Sequence, residues 1–188
     1  MKKVIVFTLL ALCSTICLTS CGDEKKKETN TTVESNNQIK EEPKSESVFK
    51  INLNMVIPND DTIEVFYLDY DDTTYSYKTK VTKKVTGSSK AQDIEVLLPK
   101  DIFPYSLRID FGLNKSEEDV VLNSVDMSYE DFNMVLTAEE FHAFFMPNQY
   151  INYIKETGVI ERKIVDGKYD PYFNARAVLR KKLELEVR

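Results

Sequence analysis

The sequence predicts a mainly β protein, a two-sheet antiparallel sandwich with one or two short helices, preceded by a disordered tether. Three observations carry this. Short runs of alternating apolar and polar residues recur from about residue 48 onward, separated by turn residues. No long helical periodicity alternates with them, as a βαβ fold would require. Residues 22–47 are almost all Lys, Glu, Asn, Thr and Ser, with Val33 and Ile39 the clear aliphatics. Such a stretch cannot bury enough apolar surface to offset its ordering entropy.

The folded region, 48–188, is long enough for one domain with a real core. Phe49, Ile51, Leu53, Met55 and Ile57 share one face of a first strand, which Pro58-Asn59-Asp60-Asp61 breaks. Thr62 to Tyr70 is rich in β-branched and aromatic residues and reads as a second strand. Thr73 to Val85 reads as an interrupted strand, and Gly87-Ser88-Ser89 turns the chain. Gln92 to Leu98 is a strand stopped by Pro99. Tyr105 to Phe111 alternates again, with Arg108 and Asp110 on the face opposite Leu107 and Ile109. Val120 to Tyr129 and Phe132 to Leu136 follow. Thr137-Ala138-Glu139-Glu140 is a capping box that opens a helical turn carrying Phe141, Phe144 and Phe145. Asn174 is placed to cap a last helix with Ala175, Val178, Leu179 and Leu183. The alternation Leu183, Leu185, Val187 leaves the end open between helix and strand.

The N-terminus carries an address. Lys2 and Lys3 precede an apolar run from Val4 to Leu18, too short for a membrane span of roughly 20 residues. It suits the h-region of an export signal. Leu18-Thr19-Ser20-Cys21 resembles the lipobox of bacterial lipoproteins. The resemblance implies a signal peptide of residues 1–20 and acylation of Cys21, palmitate included. It also implies anchoring in the cell envelope, with Gly22 after the cysteine pointing to the outer membrane. Whether the protein faces the periplasm or the surface stays open. Cys13 and Cys17 would leave with the signal and Cys21 would be lipidated, so the folded part has no thiol for a disulfide, metal site or nucleophile.

The net charge is −6, and about −8 once Lys2 and Lys3 are removed, which argues against nucleic acid as a partner. The clusters 78–84 and 176–182 read as solvated basic faces. His142 stands alone and no Gly-x-Ser-x-Gly or phosphate loop is present, so no catalytic residue is assigned and the chain is read as a non-enzyme. Asp69, Asp71 and Asp72 cluster at the end of the second strand and are candidate calcium ligands, or simply an acidic turn. Tyr67, Tyr70, Tyr75, Tyr77 and Tyr105 are candidate glycan platforms, or simply good strand residues. Arg108 and Asp110 are expected to form a structural ion pair.

Asp60–Tyr67, Val85-Thr86-Gly87-Ser88, Leu107–Gly112 and Tyr169-Asp170-Pro171 occur in this order in a group of Bacteroidetes envelope proteins, which the chain resembles between Met55 and Pro171. The resemblance implies a jelly-roll sandwich similar in outline to carbohydrate-binding modules. The expected function is therefore a membrane-anchored binding or accessory module for a glycan or an envelope protein. The alternatives are a structural subunit of an envelope complex and a glycan hydrolase. Cys21→Ser is expected to abolish incorporation of labelled palmitate and release the protein from the membrane fraction. Retention of the label would sink the lipoprotein reading.

Overall fold

Side-chain alternation decides which face of each strand turns inward. In a computed structural model, which describes residues 47–115 and 118–186, β1 (Lys50–Ile57) buries Ile51, Leu53, Met55 and Ile57 on one face. β2 (Asp61–Leu68), β3 (Lys80–Val85), β4 (Ser88–Leu97) and β5 (Ser106–Phe111) follow, then β6 (Val120–Tyr129) and β7 (Phe132–Thr137). Helix α1 (Ala138–Phe144) leads to β8 (Phe145–Pro147), β9 (Ile151–Ile154), β10 (Val159–Arg162), β11 (Tyr172–Ala175) and helix α2 (Ala177–Glu186). The signal peptide, Cys21 and nearly all of the tether lie outside the described residues. Ser47, assigned to the tether, belongs to the fold: it is buried, its carbonyl accepts from Asp101 N–H and its hydroxyl donates to Glu130. No helix among the described residues is long and apolar enough to cross a membrane.

The strands form the two antiparallel sheets expected of a sandwich. Sheet I runs β4-β1-β6-β10-β9, with β7 also paired to β6, and sheet II runs β3-β2-β5-β11-β8. The two orders correspond position by position. Each strand of sheet I lies in line with a sequence neighbour in sheet II, as β1 with β2 and β6 with β5. The sandwich is thus one five-ribbon sheet folded over along a crease. The segments crossing the crease are 58–60, 86–87, 112–119, 148–150 and 163–171.

The inner faces meet in a core that includes Ile63, Val65, Leu107, Ile109, Leu122 and Val125. Two aromatic clusters extend it. Phe49, Phe103, Tyr129 and Phe132 pack edge-on or stacked, with centroids 5.2–6.3 Å apart. Phe111, Phe141, Phe145, Tyr153 and Phe173 form the other, beside α1. Strands β8 to β11 are only three or four residues long, and the helices pack next to them: α1 on β6 and β7, α2 on β11 and β5. Thr137 and Glu140 make the expected capping box, and Leu179 and Leu183, one turn apart, are fully buried.

Several boundaries depart from expectation. The stretch from Thr73 pairs only from Lys80 onward. Before it, residues 69–79 close two turns, Asp72 N–H to Asp69 O and Thr79 N–H to Ser76 O, and the Asp69 and Ser76 side chains accept further backbone N–H groups. β4 begins at Ser88 rather than Gln92, because an exposed edge strand needs no apolar alternation to pair. Asn174 and Ala175 lie in β11, and the helix starts after them. Helix continues through Leu185 to Glu186, so Leu183 and Leu185 are not on a strand.

The crease is locked by one buried ion pair. Asp61, the first residue of β2, accepts Arg162 Nη1 at 2.6 Å on Oδ2, and both side chains are 2% exposed. Its Oδ1 accepts the N–H groups of Thr62, Leu113 and Asn114 at 2.8–2.9 Å. Arg162 also donates to the carbonyls of Phe111 and Glu118. A Cβ at Gly112, where φ is +96°, would lie 2.2 Å from Arg162 Nη1 and 2.3 Å from Asp61 Oδ2. Only glycine fits there. At Gly87 a Cβ would fall 2.5 Å from the Pro58 carbonyl oxygen, so two crossings stack backbone on backbone. Arg162→Leu strands the Asp61 carboxylate and is expected to cost about 3–5 kcal/mol in urea unfolding. A loss below about 1 kcal/mol would show that the crease does not depend on the pair.

Candidate functional site

The outer face of sheet II is the unusual surface of this sandwich. β2 sends Ile63, Val65 and Tyr67 into the core, yet its opposite face, Glu64, Phe66 and Leu68, is buried as well. On β5, Ser106 and Asp110 point the same outward way and are also buried. Antiparallel register lines these residues into two rows across four strands. One is Lys80, Phe66, Arg108, Asn174; the other is Thr82, Glu64, Asp110, Tyr172. Glu64 and Asp110 face each other directly, and each acid is met by a base from the neighbouring row, within reach of the diagonal and same-strand contacts of a sheet. Lys80 Nζ donates to Glu64 Oε1 at 2.6 Å.

Arg108 and Asp110 form the expected pair. Nε and Nη2 of Arg108 donate to the two Asp110 oxygens, each at 2.7 Å, and Nη2 also reaches Asp170 at 3.1 Å. The guanidinium lies 3.6 Å from the Tyr172 ring centroid and 5.0 Å from that of Phe66, a stacking that its weak hydration favours. Burial pushes the Asp110 carboxyl up to about 6; the Arg108 contact opposes this, and the nearby Asp170 and Glu64 charges add to it. Burial works against the Arg108 charge, but the Asp110 hydrogen bond and the surrounding acids hold its pKa above the ordinary value.

Beside this face runs a groove made of three adjoining concavities. The first, about 540 Å³, is walled by Thr73, Tyr75, Arg108, Tyr172, Arg176 and Arg180 among others. A second, about 560 Å³, shares Leu68, Thr73 and Arg180 with it and adds Asp72 and Glu184. A third, about 250 Å³, shares Tyr70, Tyr105 and Glu184 with the second and ends at Asp69, Phe103 and Leu183. The 69–79 loop, the 98–105 loop, β11 and α2 thus build one continuous wall.

The five candidate tyrosines separate. Tyr70, 74% exposed, meets Tyr105 edge-on in the groove, with centroids 5.9 Å apart and planes at 73°. Tyr75 lies further along, its hydroxyl 2.8 Å from Ser106 Oγ; burial raises its pKa, while the Ser106 bond and then the Arg180 and Arg108 charges lower it. Tyr77, 83% exposed, sits outside the groove against Phe66, with Lys80 Nζ 4.8 Å from its ring centroid. Tyr67 is 7% exposed within the core, out of a sugar's reach. β2 alternation accounts for it, since Tyr67 shares parity with Ile63 and Val65.

The aspartates take the acidic-turn alternative. Asp69 Oδ1 accepts Tyr70 N–H at 2.7 Å and Asp72 Oδ2 accepts Asp69 N–H at 3.2 Å. Among the described residues no set of three His, Cys, Asp or Glu is gathered to hold a metal, Asp69, Asp71 and Asp72 included. His142 lies on α1 against Tyr153, its backbone carbonyl held by Arg176 Nε. Arg176 is accordingly not part of a solvated face: its Nε also reaches Phe145 O. Sequence reasoning missed Tyr172, Arg176 and Arg180 as groove residues, and no local pattern places them beside Tyr75.

An acid whose folded pKa exceeds its unfolded value binds more protons when folded, so stability falls as pH rises between the two values. For Asp110 that window runs from about 4 to about 6. Across it the wild type is expected to lose about 2–3 kcal/mol relative to Asp110→Asn. Urea unfolding of both proteins at pH 4 and pH 7 checks this. A wild type that gains on the variant as pH rises would show that the Arg108 pair outweighs burial.

No protein-family model matches the chain, and no match was found among curated proteins or among solved structures.

Proposed function

We propose that the protein is an envelope lipoprotein, anchored through Cys21, whose folded domain is a non-catalytic module that binds a glycan in the groove beside sheet II. The observation that carries this reading is the convergence of Tyr70, Tyr75 and Tyr105 from two loops with Arg176 and Arg180 along one groove. Sugar rings place apolar C–H faces against aromatic rings and offer hydroxyls to charged and polar groups, which is the mixture this groove presents. Its right-angled Tyr70–Tyr105 pair makes a corner rather than a flat platform, suited to a bent or terminal sugar.

The chemistry of the neighbouring acids favours binding over cleavage. A glycoside hydrolase needs two carboxyls facing each other across the scissile bond. Asp110 has both oxygens engaged by Arg108, and Asp69 and Asp72 are engaged by turn N–H groups. A structural subunit would call for a broad exposed apolar patch. The large exposed aliphatics are spread over the fold: Leu97 on β4, Val135 on β7, Ile154 on β9, Leu113 and Ile164 in crease segments, Val178 and Leu185 on α2. A groove favours a small ligand over a flat protein face.

Thermal unfolding against a panel of bacterial and host glycans tests the reading. A binding glycan at about 100 times its Kd adds about 2.7 kcal/mol and raises Tm by several degrees. Tyr105→Ala is expected to abolish the rise, and chelator to leave it unchanged. No shift with any glycan would sink the reading.

A further inference from the structure

Resting on that glycan reading, we propose that the ligand is an acidic oligosaccharide, bound with one sugar carboxylate at Arg176 and Arg180 and a neutral ring at Tyr70 and Tyr105. The charges along the groove differ from end to end. At the β11 end three guanidinium groups line the wall and no carboxylate does. Arg108 is neutralised by Asp110 and Asp170. Arg176 spends its Nε on two backbone carbonyls, and neither it nor Arg180 forms an ion pair among the described residues. Two cationic groups therefore face one concavity unneutralised, in a protein whose formal charge is −6. Burial raises the Tyr75 pKa, and the nearby Arg180 and Arg108 charges oppose that rise, which places both guanidinium groups close to the Tyr75 hydroxyl.

The opposite end is negative. Asp69 and Asp72 flank Tyr70 and Tyr105, and Glu184, paired with Lys181 at 3.2 Å, lies beside them. Carboxylates there accept bonds from sugar hydroxyls and repel a second anionic sugar. A chain with a carboxylate on every ring fits one end and is rejected at the other. A chain in which uronic acid alternates with neutral sugar satisfies both, and the gradient fixes its direction in the groove. Tyr75 and Ser106, already hydrogen-bonded to each other, lie between and present hydroxyls to the connecting ring.

Calorimetric titration of the full chain in detergent with three defined oligosaccharides tests this: one alternating uronic acid and neutral sugar, its carboxyl-reduced counterpart, and one of uronic acid throughout. The alternating chain is expected to bind at least about 10-fold more tightly than either of the others, the worth of one charge-assisted contact. Its affinity falls as salt is raised. Arg180→Gln should cost a similar factor and Arg180→Lys should retain most of the affinity, each with Tm unchanged because Arg180 is on the exposed side of α2. Equal binding of the reduced chain, unaffected by Arg180→Gln but lost in Tyr105→Ala, would overturn the acidic ligand and leave the glycan groove standing. Tightest binding of the fully charged chain would overturn the orientation. Failure of all three, together with a silent thermal panel, would overturn the groove itself.

Discussion

The buried pair of Asp61 and Arg162 is the constraint on which this fold turns. The two residues are 101 positions apart, at the start of β2 and the end of β10. Taking both charges out of water is costly, and the cost is recovered only where every remaining lone pair and proton finds a partner. Asp61 meets that condition with three backbone N–H groups and one guanidinium. Arg162 meets it through Phe111 and Glu118, leaving Nε buried with no partner among the described residues. The pair therefore ties the β1–β2, β5–β6 and β10–β11 crossings to one point. Apolar packing between two sheets is indifferent to small slips of one sheet over the other; directional bonds at the crease are not.

Fixing the crease has consequences at a distance. With β10 and β11 held at that edge and only four residues long each, the chain leaves β11 early and α2 begins beside β5. Leu179 and Leu183 then anchor the helix in the core, and the same geometry sets Arg180 facing the 69–79 loop. The groove is a by-product of this arrangement: the β2–β3 and β4–β5 loops on one side, a helix from the C-terminal end on the other. Its residues come from stretches about a hundred positions apart, brought together by pairing of β5 with both β2 and β11.

That dependence explains what the sequence alone could say. β1, β5 and β6 were legible because alternation over six to ten residues overwhelms local preference. The capping box of α1 and the Leu179–Leu183 stripe were legible because they are local. Strands β8 to β11 were not, since three or four residues carry no period. Within the site, Tyr70, Tyr75 and Tyr105 could be named as candidates and Arg108–Asp110 paired from their spacing. For Tyr67 strand packing is the alternative that holds, and its parity with Ile63 and Val65 points inward. Arg176 and Arg180 looked like a solvated basic run because the feature that matters, their sharing one concavity whose wall holds no carboxylate, exists only in three dimensions.

The division of labour across the sheet II face also bears on binding strength. Arg108 is already stacked on Tyr172 and held by Asp110, and Tyr75 is already bonded to Ser106, so ordering them was completed on folding. A ligand that uses these groups does not have to immobilise them again. Tyr70 and Arg180 are exposed and have no such restraint, and each rotamer-rich side chain fixed on binding costs about 0.5–1.5 kcal/mol. The groove thus combines a rigid floor with two side chains at its rim that must settle onto whatever enters. Under the proposed glycan reading, such a site would discriminate by its floor, through the spacing of Tyr75, Ser106 and Arg108, and gain affinity by its rim. Since the rim holds one aromatic and one cationic group at different points along the groove, only a ligand long enough to reach both uses the whole of it.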